Sequence, residues 1–85
     1  MEISDIRIRK TMHDGRLRAV VSVTLDNAVA IHDIKVVQGD ERLFVAMPSR
    51  REESGVYRDI IHPITSDVRG ELEGKILEAY RRAIQ

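Results

Sequence analysis

The sequence predicts an α+β domain in which a twisted antiparallel sheet of about five short strands is packed by one C-terminal helix. Three observations carry this expectation. Apolar and polar residues alternate with period two from Asp5 to about Val37, as half-buried strands require. Asp, Asn and Gly punctuate that alternation where the chain must turn. Beyond Ser66 the apolar period changes to that of a helix. No repeat, low-complexity tract or linker divides the chain, so residues 1–85 are read as a single domain.

The first two strands are read from DIRIRKTMHDGRLRAVVSVTLD, where Asp14-Gly15 supplies the positive φ values of a two-residue hairpin turn. With that pair as the loop, Met12 faces Leu17, Ile8 faces Val21 and Ile6 faces Val23. Arg7, Arg9, Arg16 and Arg18 then gather on the opposite face. Asp26-Asn27 reads as a second tight turn, after which AVAIHDIKVV pairs back on the second strand. This register places Ala28, Ala30, His32, Ile34 and Val36 on the core face, with Val20, Val29, Ile31 and Val37 on the reverse. Apolar groups on both faces point to a helix over one and a second subunit over part of the other.

QGDER at 38–42 is a turn and LFVAM a short buried strand. VYRDIIHPI is the fifth strand, and Pro48 and Pro63, which cannot donate ladder hydrogen bonds, mark strand ends or an edge. Ser66 is the expected N-cap of the helix, followed by Asp67 at its positive end. Val68, Leu72, Ile76, Ala79, Tyr80 and Ala83 form its apolar stripe, widened by Leu77 and Ile84. Gly70 and Gly74 project to the polar side.

With 85 residues the core is thin, and with no cysteine it has neither disulfide nor thiolate metal site to reinforce it. A partner subunit is the expected source of further burial. No apolar run reaches the roughly 18 residues of a membrane span, and MEISDIRIRKT lacks the apolar centre of a signal peptide. A soluble cytoplasmic protein that does not engage membranes is expected.

Fourteen Lys and Arg balance fourteen Asp and Glu, so bulk charge cannot hold phosphates and any anion site must come from local segregation. His13, His32 and His62 are scattered, and no phosphate loop, nucleophile elbow or His-Glu helix motif occurs, so neither an enzyme, a cofactor nor a metal is expected. His32, on the inferred core face, is read as a structural histidine. The richest stretch is MPSRREESGVYRD. Arg50 and Arg51 leave the strand directly while Glu52 and Glu53 lie nearer the tip, so the guanidinium groups need not be neutralised, and their planar forks suit phosphate oxygens. Arg7, Arg9 and Arg18 on the sheet and Arg69 at the helix start are the remaining candidate nucleic-acid contacts.

HDIKVVQGDERLFVAMPSRREESGVYRDIIHPI, with DIRIRK near the start and VRGELEGKILEAY at the end, closely resembles the stage V sporulation protein G (SpoVG) family over essentially the whole chain. The resemblance implies a small bacterial homodimer of α+β fold that binds DNA and RNA as a regulator linked to septation, sporulation or virulence. The family's basic pair after MPS is met by Arg50 and Arg51, its tip glycine by Gly55, its aromatic-RDI by Tyr57, Arg58, Asp59 and Ile60, and its helix-start Arg-Gly by Arg69 and Gly70. Many members have lysine first in the basic pair, where this chain has Arg50, and the Glu52-Glu53 tip is more acidic than usual. The expected function is a DNA- or RNA-binding regulator, with two copies of the loop and of Arg69 forming a shared surface. A protein-interaction module docking through Val20, Val29, Ile31 and Val37 is the alternative.

Overall fold

The computed structural model describes all residues from Met1 to Gln85. The α+β expectation holds: six strands, β1 (Ile3–Thr11), β2 (Leu17–Leu25), β3 (Val29–Gln38), β4 (Leu43–Ala46), β5 (Ser49–Arg51) and β6 (Tyr57–Asp59), precede one helix, α1 (Ser66–Ala83). The strands do not share one sheet. β1 to β4 form a four-stranded antiparallel meander in sequence order, and β5 and β6 form a separate two-stranded hairpin. The segment read as a fifth sheet strand contributes only Tyr57–Asp59, paired to residues of the loop before it.

β2 is central and apolar at alternate positions, so Ala19, Val21 and Val23 are fully buried. Ile34 and Val36 flank them from β3, Val45 from β4, and α1 closes the same face with Leu72, Ile76 and Tyr80. Removing each large apolar side chain from water favours folding by about 1.5–3 kcal/mol. Only 12 of the 85 residues are buried, which leaves the domain with the thin core its length implies.

The register of β1 on β2 is as expected at Ile6 opposite Val23 and Ile8 opposite Val21, but the loop between them is longer than Asp14-Gly15. The Met12 amide donates to the Arg18 carbonyl at 2.8 Å instead of Met12 pairing with Leu17. Irregularities fall at Arg9, between Ile8 and Lys10, and at Arg18, between Leu17 and Ala19.

The β2–β3 turn takes Asp26, Asn27 and Ala28, with φ of 50° and 52° at the first two, so Leu25 pairs with Val29 and not Ala28. That single-residue shift turns Ile31 into the core and His32 out to the open face of the sheet. Asp33, at φ 63°, then adds one residue to β3 between the Ile31 and Ile34 pairings. This bulge reverses the shift, and Ile34 and Val36 point inward as expected. His32 is therefore not a core histidine. Ala28 and Ala30 are likewise exposed, and Val29 and Ile31 do not stand beside Val20 and Val37.

Gly39 closes the β3–β4 turn, its amide donating to Arg42 O at 2.8 Å. A Cβ there would sit 2.9 Å from that same carbonyl and 3.3 Å from the Phe44 ring, so the turn requires glycine for close packing.

The helix starts one residue earlier than expected at its cap. Thr65, extended at φ −123° and ψ 150°, accepts the Val68 amide on Oγ1 at 3.2 Å. Val68, Leu72, Ile76, Leu77, Ala79 and Tyr80 form the buried or half-buried stripe, while Ala83 and Ile84 are exposed. A Cβ added at Gly70 or Gly74 would meet nothing within 4 Å. Gly70→Ala and Gly74→Ala are expected to stabilise the fold by about 1 kcal/mol each, read as an increase in the urea midpoint at unchanged m-value. Destabilisation by either would place another chain against that face of the helix.

Candidate functional site

The β5–β6 hairpin carries the densest set of unburied guanidinium groups. Pro48 lacks an amide donor and ends the run of β4, and its carbonyl accepts the Ile60 amide at 2.8 Å to close the hairpin base. At the tip the Glu52 amide donates to Val56 O and the Gly55 amide to Glu52 O, both at 2.9 Å. Gly55 at φ 88° occupies the left-handed position of this three-residue connection, where a side chain would be strained.

Within the hairpin Arg50 pairs with Arg58, and Arg51 with Tyr57. Cross-strand partners share a face, so Arg50 and Arg58 lie together on one side and Arg51 lies beside Tyr57 on the other. Two like charges directly opposite repel. Here the Glu52 carboxylate accepts from Arg58 Nε, whereas neither Arg50 nor Arg51 has a carboxylate within ion-pair distance. The tip carboxylates therefore leave the basic pair free, as residue order predicts.

A concave surface lined by Arg50, Glu52, Arg58, Asp59 and Ile60 adjoins a second groove lined by Tyr57, Arg58, Asp59, His62 and Arg69. Arg58 belongs to both, so it links the loop to the helix start within one chain. Arg69 lies inside the apolar arc of α1, its side chain part-buried and its Nη1 3.4 Å from a Glu73 carboxylate oxygen. Arg58 and His62 were not among the sequence candidates. The RDI segment already contained Arg58, but only the cross-strand pairing shows that it faces Arg50.

Each of the four sheet arginines has a partner within the chain. Arg7 bonds Asp5 at 3.0 Å, Arg9 Nε donates to Ser22 Oγ at 3.2 Å, Arg16 pairs with Asp40 at 3.0 Å, and Arg18 donates to the His13 carbonyl at 2.9 Å. Arg7, opposite Ser22, and Arg9, bonded to it, lie on the open face as expected, while Arg16 and Arg18 are tied to Asp40 and to the His13 carbonyl near the β1–β2 loop. Lys10 and Lys35 complete the cationic part of the open face, one on each side of Val20 in a single cross-strand row.

The expected apolar docking face is also divided. Ile31 is in the core, Val29 lies at the edge of the core side, and only Val20 and Val37 remain on the open face, where Phe44 pairs with Val37. Exposed apolar groups concentrate elsewhere, at Val56, Tyr57, Ile60, Ile61 and Ile64, with Ile60 68% and Ile64 89% exposed. Beside them an apolar cavity of about 140 Å³ opens between Met1, Leu25, Met47, Ile61, Pro63 and Val68. No helix is long and apolar enough to cross a membrane.

Comparison with known proteins matches residues 1–82 to the SpoVG family model. A protein of Desulforudis audaxviator named septation protein SpoVG is 54% identical over 80 residues, covering 94% of this chain and 91% of the relative. Proteins of the same name from Lachnospira eligens and Clostridium botulinum strain Alaska E43 are 51% and 49% identical, over 98% and 100% of this chain and 94% and 93% of the relatives.

Proposed function

The chain belongs to the SpoVG family, and on that premise we propose that it is a non-enzymatic regulator associated with septation, acting by binding DNA or RNA through the β5–β6 hairpin. The family's relatives are named for septation, which supports the cellular role. One observation carries the binding activity: Arg50 and Arg51 stand exposed on a hairpin apart from the main sheet, free of carboxylate partners, while Arg58 takes up Glu52. Arg50 reaches phosphates on the face it shares with Arg58, and Arg69 extends that track toward the helix. Arg51 and Tyr57 serve the other face. Arg7, Arg9 and Arg18 add positive potential further along the molecule.

Two copies act together. The exposed side chains of Ile61 and Ile64 by the apolar cavity, together with a core of only 12 buried residues, support a homodimer in which a second chain covers that apolar patch. Dimerisation doubles the guanidinium contacts without altering the neutral charge of the protein. The same apolar patch is what a protein-interaction module would use, and salt separates the readings. Fluorescence anisotropy of labelled DNA and RNA oligomers across salt is expected to show affinity falling steeply through counterion release. Absence of binding at low salt would assign the protein to the interaction class.

The acidic tip restrains the site in this reading. Glu52→Gln releases Arg58 and removes a negative charge, and is expected to raise oligonucleotide affinity about two- to fivefold at low salt. An unchanged or lowered affinity in the same anisotropy assay would remove Arg58 from the phosphate track.

A further inference from the structure

Ser22 is the one buried polar residue of the molecule, 7% exposed, and it lies on the open face of the sheet, away from α1. Its Oγ is 3.2 Å from Arg9 Nε and 2.8 Å from His32 Nδ1. Arginine can only donate, so Oγ accepts from Arg9, and it is also hydrogen-bonded to His32 Nδ1. The hydroxyl thus holds both side chains in place, while the terminal nitrogens of Arg9 and Nε2 of His32 make no hydrogen bond within the chain.

The backbone assembles this trio from both sides. Arg9 sits at the irregularity of β1, and His32 precedes the left-handed Asp33 at the bulge of β3, so each strand flanking Ser22 is broken at the level that re-aims a side chain toward it. Arg7 pairs with Ser22 across β1, and Lys10 and Lys35 flank Val20 in the next row with no carboxylate partner. Asp5, bound to Arg7, and Asp33 are the acidic groups nearby. Donors outnumber acceptors.

We propose that Arg9, Ser22 and His32, with Lys10 and Lys35, form a second phosphate-binding site on the open sheet face, separate from the hairpin. The inference extends the nucleic-acid reading by giving a bound strand a second point of attachment, and the same chemistry would take free phosphate. Ser22 acts as a positioning residue, and Arg9 and His32 make the contact.

The test is an NMR titration of the His32 imidazole, its signals identified by their loss in His32→Gln. Inorganic phosphate is added against potassium chloride at constant ionic strength, and a twelve-nucleotide oligothymidylate is added separately. The site predicts a saturable shift with phosphate and not with chloride, weakened at least tenfold in Arg9→Gln/Lys10→Gln and in the single variant Lys35→Gln. With the oligonucleotide, the double variant should make the salt slope less negative by about 1.4 per site, from about 0.7 per lost contact on a single strand. A His32 shift with phosphate alone supports the site and gives it a free phosphate as ligand. If the oligonucleotide binds through Arg50 and Arg51 while His32 stays unmoved by both probes, the sheet site is overturned and the hairpin reading survives. If no oligonucleotide binds but phosphate moves His32, the hairpin reading fails and the sheet site stands.

Discussion

Arg50→Ala/Arg51→Ala is expected to lower oligonucleotide affinity by about two orders of magnitude while leaving the fold intact. The magnitude follows from four guanidinium groups lost in the proposed dimer. Each makes charge-assisted contacts worth up to about 1.5–3 kcal/mol when well formed, less in open solvent, and a tenfold change in affinity corresponds to about 1.4 kcal/mol. Both side chains are exposed and neither enters the core cluster, so circular dichroism and urea midpoint should match the parent protein. The salt dependence separates a phosphate contact from a general loss of charge. Four contacts removed from a single strand should make the log–log slope less negative by about 2.8. A variant that binds as tightly as the parent, or loses affinity at unchanged slope, would place the phosphate contacts away from the hairpin.

Ile76→Ala is expected to produce the largest loss of stability. Ile76 is completely buried where α1 meets the sheet, in one cluster with Ile34, Val21 and Val36. Truncation to alanine costs about 2–5 kcal/mol through lost transfer energy and the cavity left behind. Stabilities of 0.05–0.15 kcal/mol per residue give a domain of this size about 4–13 kcal/mol in total, so one side chain removes a large share of it. For a domain this small, each kcal/mol moves the melting temperature by about 4–8 °C, so the expected fall is at least about 8 °C. Calorimetry at several protein concentrations also tests the dimer, because a folded state that requires association melts at a concentration-dependent temperature. A loss below about 1 kcal/mol would mean that α1 is not held by this packing.

The course of β3 shows how far a sequence pattern carries. Alternation assigns Ile34 and Val36 correctly to the core, yet it puts His32 inside and Ile31 outside, because the β2–β3 turn holds one residue more than the Asn-containing pair suggests. Strand side chains alternate with period two, so that one residue inverts every position until Asp33 inserts another and restores the phase. Two compensating irregularities are invisible to a period count over the whole strand. The helix cap was ambiguous for a simpler reason: Thr65 and Ser66 are adjacent residues of capping type, and only the Val68 amide lying within reach of the Thr65 hydroxyl distinguishes them.

The candidate hairpin was legible in its residues and not in its surroundings. The order Arg50, Arg51, Glu52, Glu53 and the turn at Gly55 already separated the basic pair from its neutralising acids. Pairing Arg50 with Arg58, directing Glu52 to Arg58, and bringing Arg69 into the next groove needed the strands to meet.

By itself the sequence determined the α+β class, the central β2 core strand, the helix and its main apolar stripe, and the family, because these depend on local periodicity and on residue identity. Tertiary structure alone decided that β5 and β6 stand apart from the main sheet, and that Arg9 and His32 both meet Ser22 on the open face. Each of those depends on the register between strands distant in sequence. Register is set by a single turn or bulge residue whose backbone angles are chosen only when both strands are packed against their neighbours.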